Sequence, residues 1–281
     1  LHRMPELDDE LPDTTAYVRK VLEPLGAEVF SPIKGSVCAY FDAGAEETVA
    51  LRADMDALPV TECTGLFFAS ERPGRMHACG HDGHTAIELG LAEETARMIR
   101  AGEKLPRNVL FVFQPAEEGV RGARAMVARG LARGADYLWT QHITTSIHEN
   151  EIFASAGGFL ATEKAVESAA MLAGVTAGIE VAGRAEALLP NPTAVEMIVE
   201  CAKRLPDVVI TEDRTRGSDD STLWMNAVTK DGGVAGCFHY GSRGRAGLHT
   251  SSFDPEGEFT AIPALRLSVE LLLSTNRRGD A

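Results

Sequence analysis

The chain has 281 residues, of which 44% are hydrophobic and 24% are charged, a composition typical of soluble globular proteins. Its formal net charge of −14 argues against a nucleic-acid partner, because binding to nucleic acid requires a basic face. No stretch approaches the ~18–20 apolar residues of a membrane span, and residues 1–13 lack the basic and apolar regions of a secretory signal.

The first half of the chain predicts helices that alternate with apolar strands. Helical spacing and short β-rich runs define these segments, and Gly26 is placed to end the first helix. Such alternation is typical of an α/β fold with a mostly parallel sheet flanked by helices, whose ligand crevice lies at the carboxyl ends of the strands. Helices are predicted over 11–26, 84–99 and 121–131, and strands over 36–42, 48–54, 108–115 and 136–143.

The second half predicts further helices and one strand, with no internal repeat and no linker. Ser218 is placed to cap a helix whose first turn carries two acidic residues. We therefore expect a single domain over residues 1–281. Helices are predicted over 167–183, 192–206, 218–229 and 259–275, and a strand over 232–241.

The five cysteines are odd in number and widely spaced, without a C-x-x-C pair. This pattern indicates neither a disulfide framework nor a thioredoxin-type motif, and it favours a reducing cytoplasm. Cys38 and Cys237 lie in strand-like runs and are predicted to be buried thiols. Cys79 differs from them because of its neighbours.

The stretch MHACGHDGHTA, residues 76–86, concentrates metal-binding side chains, and a redox site, a metal site and a buried helix start are the three interpretations. Cys79 and His81 would project to one side of an extended or turning backbone. Further candidate ligands are the Glu117–Glu118 pair, His142 and His249, each weak by itself. Together they form the thiolate, imidazole and carboxylate set used by Zn²⁺ and Mn²⁺. Metal binding is favoured over redox chemistry, because Cys79 has no second cysteine nearby.

The adjacent glutamates offer two different uses. After Pro115 the chain leaves a strand, so the consecutive side chains of Glu117 and Glu118 can diverge. One carboxylate can bind a metal while the other takes a proton from water and later delivers it to a leaving amine.

The motifs ALRADMDALPV (50–60), MHACGHDGHTA, FQPAEEG (113–119) and GLHTSSFD (247–254) closely resemble the amidohydrolases of peptidase family M20, subfamily D. This group includes aminoacylases, hippurate hydrolases, auxin-conjugate hydrolases and aminobenzoyl-glutamate hydrolases. GFLATEK (158–164) and GSDDSTLWM (217–225) are similar to the aminobenzoyl-glutamate branch.

The resemblance implies a zinc-peptidase-like catalytic domain with two divalent metal ions, Zn²⁺ or Mn²⁺, with Co²⁺ and Ni²⁺ as further candidates. Glu117 becomes the general base and acid, and Asp56 the residue that orients a ligand histidine. Asp54 stands where the wider superfamily has a metal histidine, and His84 is expected to be structural. Cys79 or a water bridges the ions. The implied metal ligands are Cys79, His81, Glu118, His142 and His249.

The family's inserted lid domain, usually its homodimer interface, has no counterpart in this sequence. A lid domain is predicted to be missing near 164–166, and three explanations are open: a naturally lidless homologue, an engineered deletion, or a disordered lid that the sequence leaves out. In the family a lid histidine stabilises the oxyanion, a contribution worth ~10²–10³ in rate. The sequence therefore leaves the activity of the lidless chain open.

The predicted function is hydrolysis of the amide bond of small N-acyl or N-aroyl amino acids, with Glu117 as general base and acid. One alternative is a metallopeptidase acting on dipeptides, and another is a catalytically inactive metal-binding protein. A cysteine hydrolase based on Cys79 would leave both glutamates, His142 and His249 without roles.

Overall fold

The computed structural model describes residues 1–155, 185–212, 219–244 and 246–275. Within these residues the strands are β1 (Glu28–Phe30), β2 (Val37–Phe41), β3 (Thr48–Asp54), β4 (Asn108–Gln114), β5 (Tyr137–Thr144), β6 (Glu151–Ala154), β7 (Val209–Ile210) and β8 (Val234–Gly241). They form one sheet in the order β1-β2-β4-β3-β5-β8-β6-β7. The four central strands β4, β3, β5 and β8 are parallel. Antiparallel pairs join β1 to β2, β2 to β4 and β6 to β8, whereas β7 runs parallel to β6. The predicted mostly parallel α/β sheet is confirmed.

Helices cover both faces of the sheet and bury a separate apolar core on each. The described helices are α1 (Pro12–Leu22), α2 (His81–Arg100), α3 (Gly122–Ala128), α4 (Pro192–Ala202), α5 (Ser221–Lys230) and α6 (Gly257–Leu273). Helices α1, α2, α4 and α6 pack on one face, and α3 and α5 pack on the other. Every residue of β4 is buried, which explains its continuous apolar sequence.

Most predicted elements lie where they were expected, with differences at their ends. The first helix ends at Leu22 and continues as a 3₁₀ turn, and Gly26 follows in the left-handed region at φ 90°. The second helix begins at His81, three residues before the predicted start. The edge strands β1 and β7 and the strand β6, which lies between β8 and β7, were not predicted. The predicted helix over 167–183, the junction near 164–166 and the Ser218 cap lie outside the described residues.

Cys38 and Cys237 are buried free thiols, as predicted. The helices in the described part of the chain include none with the length and apolar character needed to cross a membrane.

Candidate metal centre

The five predicted ligands converge at the carboxyl ends of the central strands. Cys79 and His81 lie at the start of α2, and His142 lies near the end of β5. Glu118 follows β4, and His249 lies in the segment between β8 and α6. Carboxyl ends of neighbouring parallel strands meet at one edge of a sheet, so residues distant in sequence come together there.

The sulfur of Cys79 lies at the centre of this cluster. It is 3.5 Å from His142 Nε2 and 3.2 Å from His249 Nε2. The ligand atoms of Cys79, His81 and His142 all lie within 4.8 Å of one another, and so do those of Cys79, Glu118 and His249. Of the five predicted ligands, Cys79 is the member common to both groups.

A gap separates His81 from the two glutamates. His81 Nε2 lies 3.8 Å from Glu117 Oε2 and 3.9 Å from Glu118 Oε1, distances too long for hydrogen bonds. His249 Nε2 lies 3.7 Å from Glu118 Oε2. Because donor atoms at ~2 Å from a common cation stand ~3–4 Å from one another, these spacings match those of metal ligands.

Two buried atoms beside this gap support the same interpretation. Neither His81 Nε2 nor Glu118 Oε1 has a hydrogen-bond partner among the described residues. An unsatisfied buried polar group costs ~1–3 kcal/mol, and a cation between these two atoms would remove that cost. Thiolate, imidazole and carboxylate donors suit both Zn²⁺ and Mn²⁺. The residues therefore fit a pair of divalent ions.

Main-chain carbonyls orient two of the histidine rings. His81 Nδ1 donates to the carbonyl oxygen of Asp56 at 2.8 Å, and His142 Nδ1 donates to that of Ile143 at 2.6 Å. Since a carbonyl can only accept, each Nδ1 carries the hydrogen, and in the neutral ring Nε2 keeps its lone pair. Both rings are thus set to bind a cation through Nε2.

Asp56 also fixes the glutamate turn. Its carboxylate accepts the main-chain N–H of Glu117 at 2.9 Å and that of Glu118 at 3.1 Å. The sequence predicts Asp56 as the partner of a ligand histidine. In the structure the carbonyl of Asp56 bonds the His81 ring, and its side chain holds the residues that follow β4.

Steric constraints explain why the residue between Cys79 and His81 is a glycine. Gly80 adopts φ 84°, and a Cβ at this position would lie 2.7 Å from Ile143 Cγ2. An L-residue in this left-handed conformation is strained, and this contact would add to the strain. The close packing fixes the turn that carries both ligands.

Burial sets the protonation of the site in the absence of cations. It raises the pKa of the Cys79 thiol to about 12 and that of Glu118 to about 7. Burial, with the charge of Asp219, raises the pKa of Glu117 well above its usual value. Burial, with the neighbouring His84, lowers the pKa of His142 to about 3. Since a divalent cation favours thiolate and carboxylate, its binding would release protons from this site.

His84 has no free nitrogen for a metal, in agreement with its predicted structural role. Its Nδ1 donates to Asp54 Oδ1 at 2.7 Å, and its Nε2 accepts the Ile143 N–H at 3.1 Å. Asp54, His81 and His84 also offer ligand atoms within 4.8 Å of one another. However, the second oxygen of Asp54 accepts from Arg52 at 2.7 Å, so this group is already occupied by hydrogen bonds.

Sequence reasoning missed a buried ionic network beneath the site. Arg52 is fully buried, and its guanidinium donates to Gln114 Oε1 at 3.0 Å and to Asp54 Oδ2 at 2.7 Å. It also donates to Asp220 Oδ1 at 2.8 Å. An arginine within the apolar strand sequence TVALRAD was the available signal, because a charge between two covered faces requires buried partners.

Comparison with known proteins gives a family match over most of the chain. Residues 50–274 match the model of peptidase family M20/M25/M40. A probable hydrolase of Synechocystis sp. is 39% identical over 170 residues, which cover 59% of this chain and 42% of that protein. A hydrolase of Staphylococcus epidermidis is 42% identical over 130 residues, 34% of its length. The matched part of the chain thus spans less than half the length of these two relatives.

An alignment over 97% of the chain is found with the indole-3-acetyl-aspartic acid hydrolase of Enterobacter agglomerans, at 28% identity and covering 85% of that protein. It extends over 374 positions, so the relative carries residues that this chain lacks.

Two solved structures show a similar fold. The Bacillus subtilis YXEP protein, described as a dinuclear metal binding peptidase from the M20 family, has a TM-score of 0.81 at 24% identity. That match covers 97% of this chain and 94% of the other. The aminobenzoyl-glutamate utilization protein of Klebsiella pneumoniae has a TM-score of 0.68 at 20% identity, covering 98% and 94%.

Proposed function

Since the chain belongs to peptidase family M20/M25/M40, we propose that it is a metal-dependent hydrolase that cleaves the amide bond of N-acyl or N-aroyl amino acids. The observation that carries this proposal is the convergence of five donor residues around a gap of ionic size, with Glu117 beside it. The names of two similar proteins support the substrate class. One is an indole-3-acetyl-aspartic acid hydrolase and the other an aminobenzoyl-glutamate utilization protein, and both names contain an acidic amino acid joined to an aromatic acyl group.

Two groups of residues would hold the ions, and Cys79 belongs to both groups. His81 and His142 would complete one group, and Glu118 and His249 the other. When bound, the ions supply a Lewis acid for the substrate carbonyl and lower the pKa of water to roughly 7. Each of the five residues presents an atom to the gap, and the hydrogen bonds to the carbonyls of Asp56 and Ile143 orient the rings of His81 and His142.

Glu117 is proposed to move the proton. Its Oε2 lies 3.8 Å from His81 Nε2, and it belongs to neither group that contains Cys79. Burial raises its pKa well above the usual value, which makes its carboxylate a stronger base. Glu117 takes a proton from the attacking water as the new C–O bond forms. It then gives that proton to the amide nitrogen as the C–N bond breaks, so that an acid and an amine leave.

We further propose that residues 1–281 form the catalytic domain without the inserted lid. The 374-position alignment with the Enterobacter relative supports this, because that protein has additional residues within the aligned region. The predicted junction near 164–166 lies outside the described residues.

A metallopeptidase acting on dipeptides is the second candidate, favoured by the description of the similar Bacillus structure as a peptidase. A catalytically inactive metal-binding protein has no use for Glu117 in its present place. A cysteine hydrolase is disfavoured, because its nucleophile requires a lowered pKa and burial raises that of Cys79 to about 12.

Amide turnover by the metal-loaded chain tests the proposed function. The chain, loaded with Mn²⁺ or with Zn²⁺, is incubated with hippurate, aminobenzoyl-glutamate, indole-3-acetyl-aspartate and a dipeptide, and the released amine is measured. We expect release from the acyl amino acids, its loss after chelation and its return when the metal is restored. Activity on the dipeptide alone would favour the peptidase, and no turnover at full metal loading would favour the inactive metal-binding protein. Turnover that survives chelation but is lost to a thiol reagent would favour the cysteine hydrolase.

A further inference from the structure

Asp220, directly before α5, joins three separate elements through one buried carboxylate. Its Oδ1 accepts from Arg52 Nη2 and from Gln114 Nε2, both at 2.8 Å. Its Oδ2 accepts the main-chain N–H of Ala123 at 2.9 Å. These donors belong to β3, β4 and α3, and Asp220 itself has no exposed surface. The start of α5 is therefore fixed against the strands that carry the candidate site.

The main chain of the same residue reaches the proposed base. The N–H of Asp220 donates to Glu117 Oε1 at 3.4 Å, and the N–H of Glu117 donates to Asp56 Oδ1 at 2.9 Å. Glu117 is thus held at its backbone by one aspartate and at its carboxylate by the other. Without the contact from Asp220, Glu117 would keep its backbone anchor but lose a main-chain hydrogen bond to its carboxylate.

We propose that Asp220 is a positioning residue for Glu117, an inference that rests on the proposed function. The side-chain oxygens of Asp220 accept hydrogen bonds from Arg52, Gln114 and Ala123. Asp220 therefore acts on Glu117 through the position of its main-chain N–H. That placement keeps the Glu117 carboxylate aimed at the gap beside His81. Displacement of a catalytic group by about 1 Å can cost ~10²-fold in rate, so the position of this turn affects kcat.

Position and charge are separable at residue 220. Asp220→Asn keeps the size of the side chain but places an NH₂ group against N–H donors, which displaces the turn. Asp220→Glu keeps the charge opposite Arg52 but is one methylene longer, which also displaces it. If only the charge matters, the glutamate variant stays active; if position matters, both variants lose activity.

Hydrogen exchange in the metal-free chain is the first test, since it does not depend on activity. We expect both variants to exchange the amide hydrogens of the segment 115–121, which every residue except Pro115 carries, about tenfold faster than the wild type does, because local opening has become easier. The control is Asp136→Asn, which neutralises the carboxylate that accepts the Thr48 N–H (2.9 Å) at the amino ends of β3 and β5. It should leave the exchange of 115–121 unchanged. Unchanged exchange in Asp220→Asn and Asp220→Glu would overturn the inference.

A milder variant covers the case in which both substitutions at 220 prevent folding. Gln114→Met removes one of the three donors to the Asp220 carboxylate and keeps the bond from Arg52 to Asp220. It also removes the acceptor of Arg52 Nε and Trp224 Nε1. We expect faster exchange of 115–121 in this variant too, by a smaller factor. Wild-type exchange there would contradict the positioning role.

Kinetics of the metal-loaded protein provide the second test. Both variants at 220 should lower kcat by ~10–10²-fold with KM within about threefold, since a catalytic group rather than a binding contact is displaced. Metal content should stay at the wild-type value. Wild-type kcat in either variant would overturn the inference while leaving the proposed function intact. If the wild type turns over no substrate although exchange at 115–121 responds as expected, the proposed function fails and the positioning of Glu117 stands.

Discussion

The sulfur of Cys79 lies 3.2 Å from His249 Nε2, although 170 positions separate the two residues in the sequence. The main-chain N–H of His249 also donates to the carbonyl of Ala78 at 2.7 Å, so backbone and side chain hold the contact together. Residue 249 adopts φ 63°, a left-handed conformation uncommon for residues other than glycine. Such conformations concentrate at functional sites, where the surrounding structure holds them in place.

Because Cys79 belongs to both ligand groups, its replacement should weaken both metal positions. We expect Cys79→Ala to lose both ions on dialysis, whereas His249→Ala, which changes one group, should keep the ion held by His81 and His142. Elemental analysis after dialysis against metal-free buffer measures this difference. Equal retention of metal by the two variants would show that the sulfur is not shared.

Glu117→Gln should abolish proton transfer without removing metal. The loss of a general base costs ~10²–10⁴-fold, so we expect kcat to fall by that factor while metal content stays unchanged. Glu118→Ala is the matched variant at the adjacent position and should lower the metal content. If Glu117→Gln loses metal and Glu118→Ala does not, the two roles are reversed.

Gly80→Ala should destabilise the fold of the metal-free chain by about 2–4 kcal/mol. The left-handed conformation and the 2.7 Å approach of a new Cβ to Ile143 both contribute to this cost. Gly83→Ala, in the first turn of the same helix, has open space at its Cβ and should change stability by less than ~1 kcal/mol. Urea unfolding of both variants tests the contrast, and equal stabilities would contradict the packing argument.

Glu88 should make the metal-free chain less stable as pH rises. It is buried in α2, and burial raises its pKa from 4.5 to about 8, with Asp54 adding to the shift and Arg52 opposing it. The folded state therefore binds this proton more tightly than the unfolded chain does. Its contribution to stability is complete below pH 4.5 and is lost as pH rises towards 8.

Glu88→Gln removes this titrating group and should flatten the fall in unfolding free energy between pH 5 and 9, approximate limits that bracket both pKa values. Glu93→Gln, on the exposed part of the same helix, serves as the control and should keep the wild-type dependence. Urea unfolding at several pH values provides the measurement. A Glu88→Gln variant with the same pH dependence as the wild type would contradict the assignment.

Sequence patterns predicted the central strands well, because a buried strand requires a run of several consecutive apolar or β-rich residues. The apolar run over 108–115 became β4, and the β-rich run over 48–54 became β3 without change. Strands β1 and β7 have three and two residues, too few to show any periodicity. Their formation depends on the neighbouring strand, which a local pattern does not contain.

In the site, too, features that depend on residues close in sequence were predicted, whereas contacts between residues far apart in sequence were not. The spacing of Cys79 and His81 and the adjacent pair after Pro115 are local signals, and the structure brings these residues together. The pairing of Arg52 with Asp220 joins residues 168 positions apart, and no local pattern connects them. The sequence identified Asp56 as the partner of a ligand histidine, but it did not show that the main-chain carbonyl of Asp56 makes the contact with His81. That contact depends on the path of the backbone, which a local pattern does not contain.

Anomalous scattering from crystals of the metal-loaded chain tests the central claim most directly. The account predicts two peaks ~3.5–4 Å apart in the gap between His81 and Glu118, with the sulfur of Cys79 bound to both ions. A single peak, peaks away from these residues, or no peak after saturation with Mn²⁺ and Zn²⁺ would contradict it.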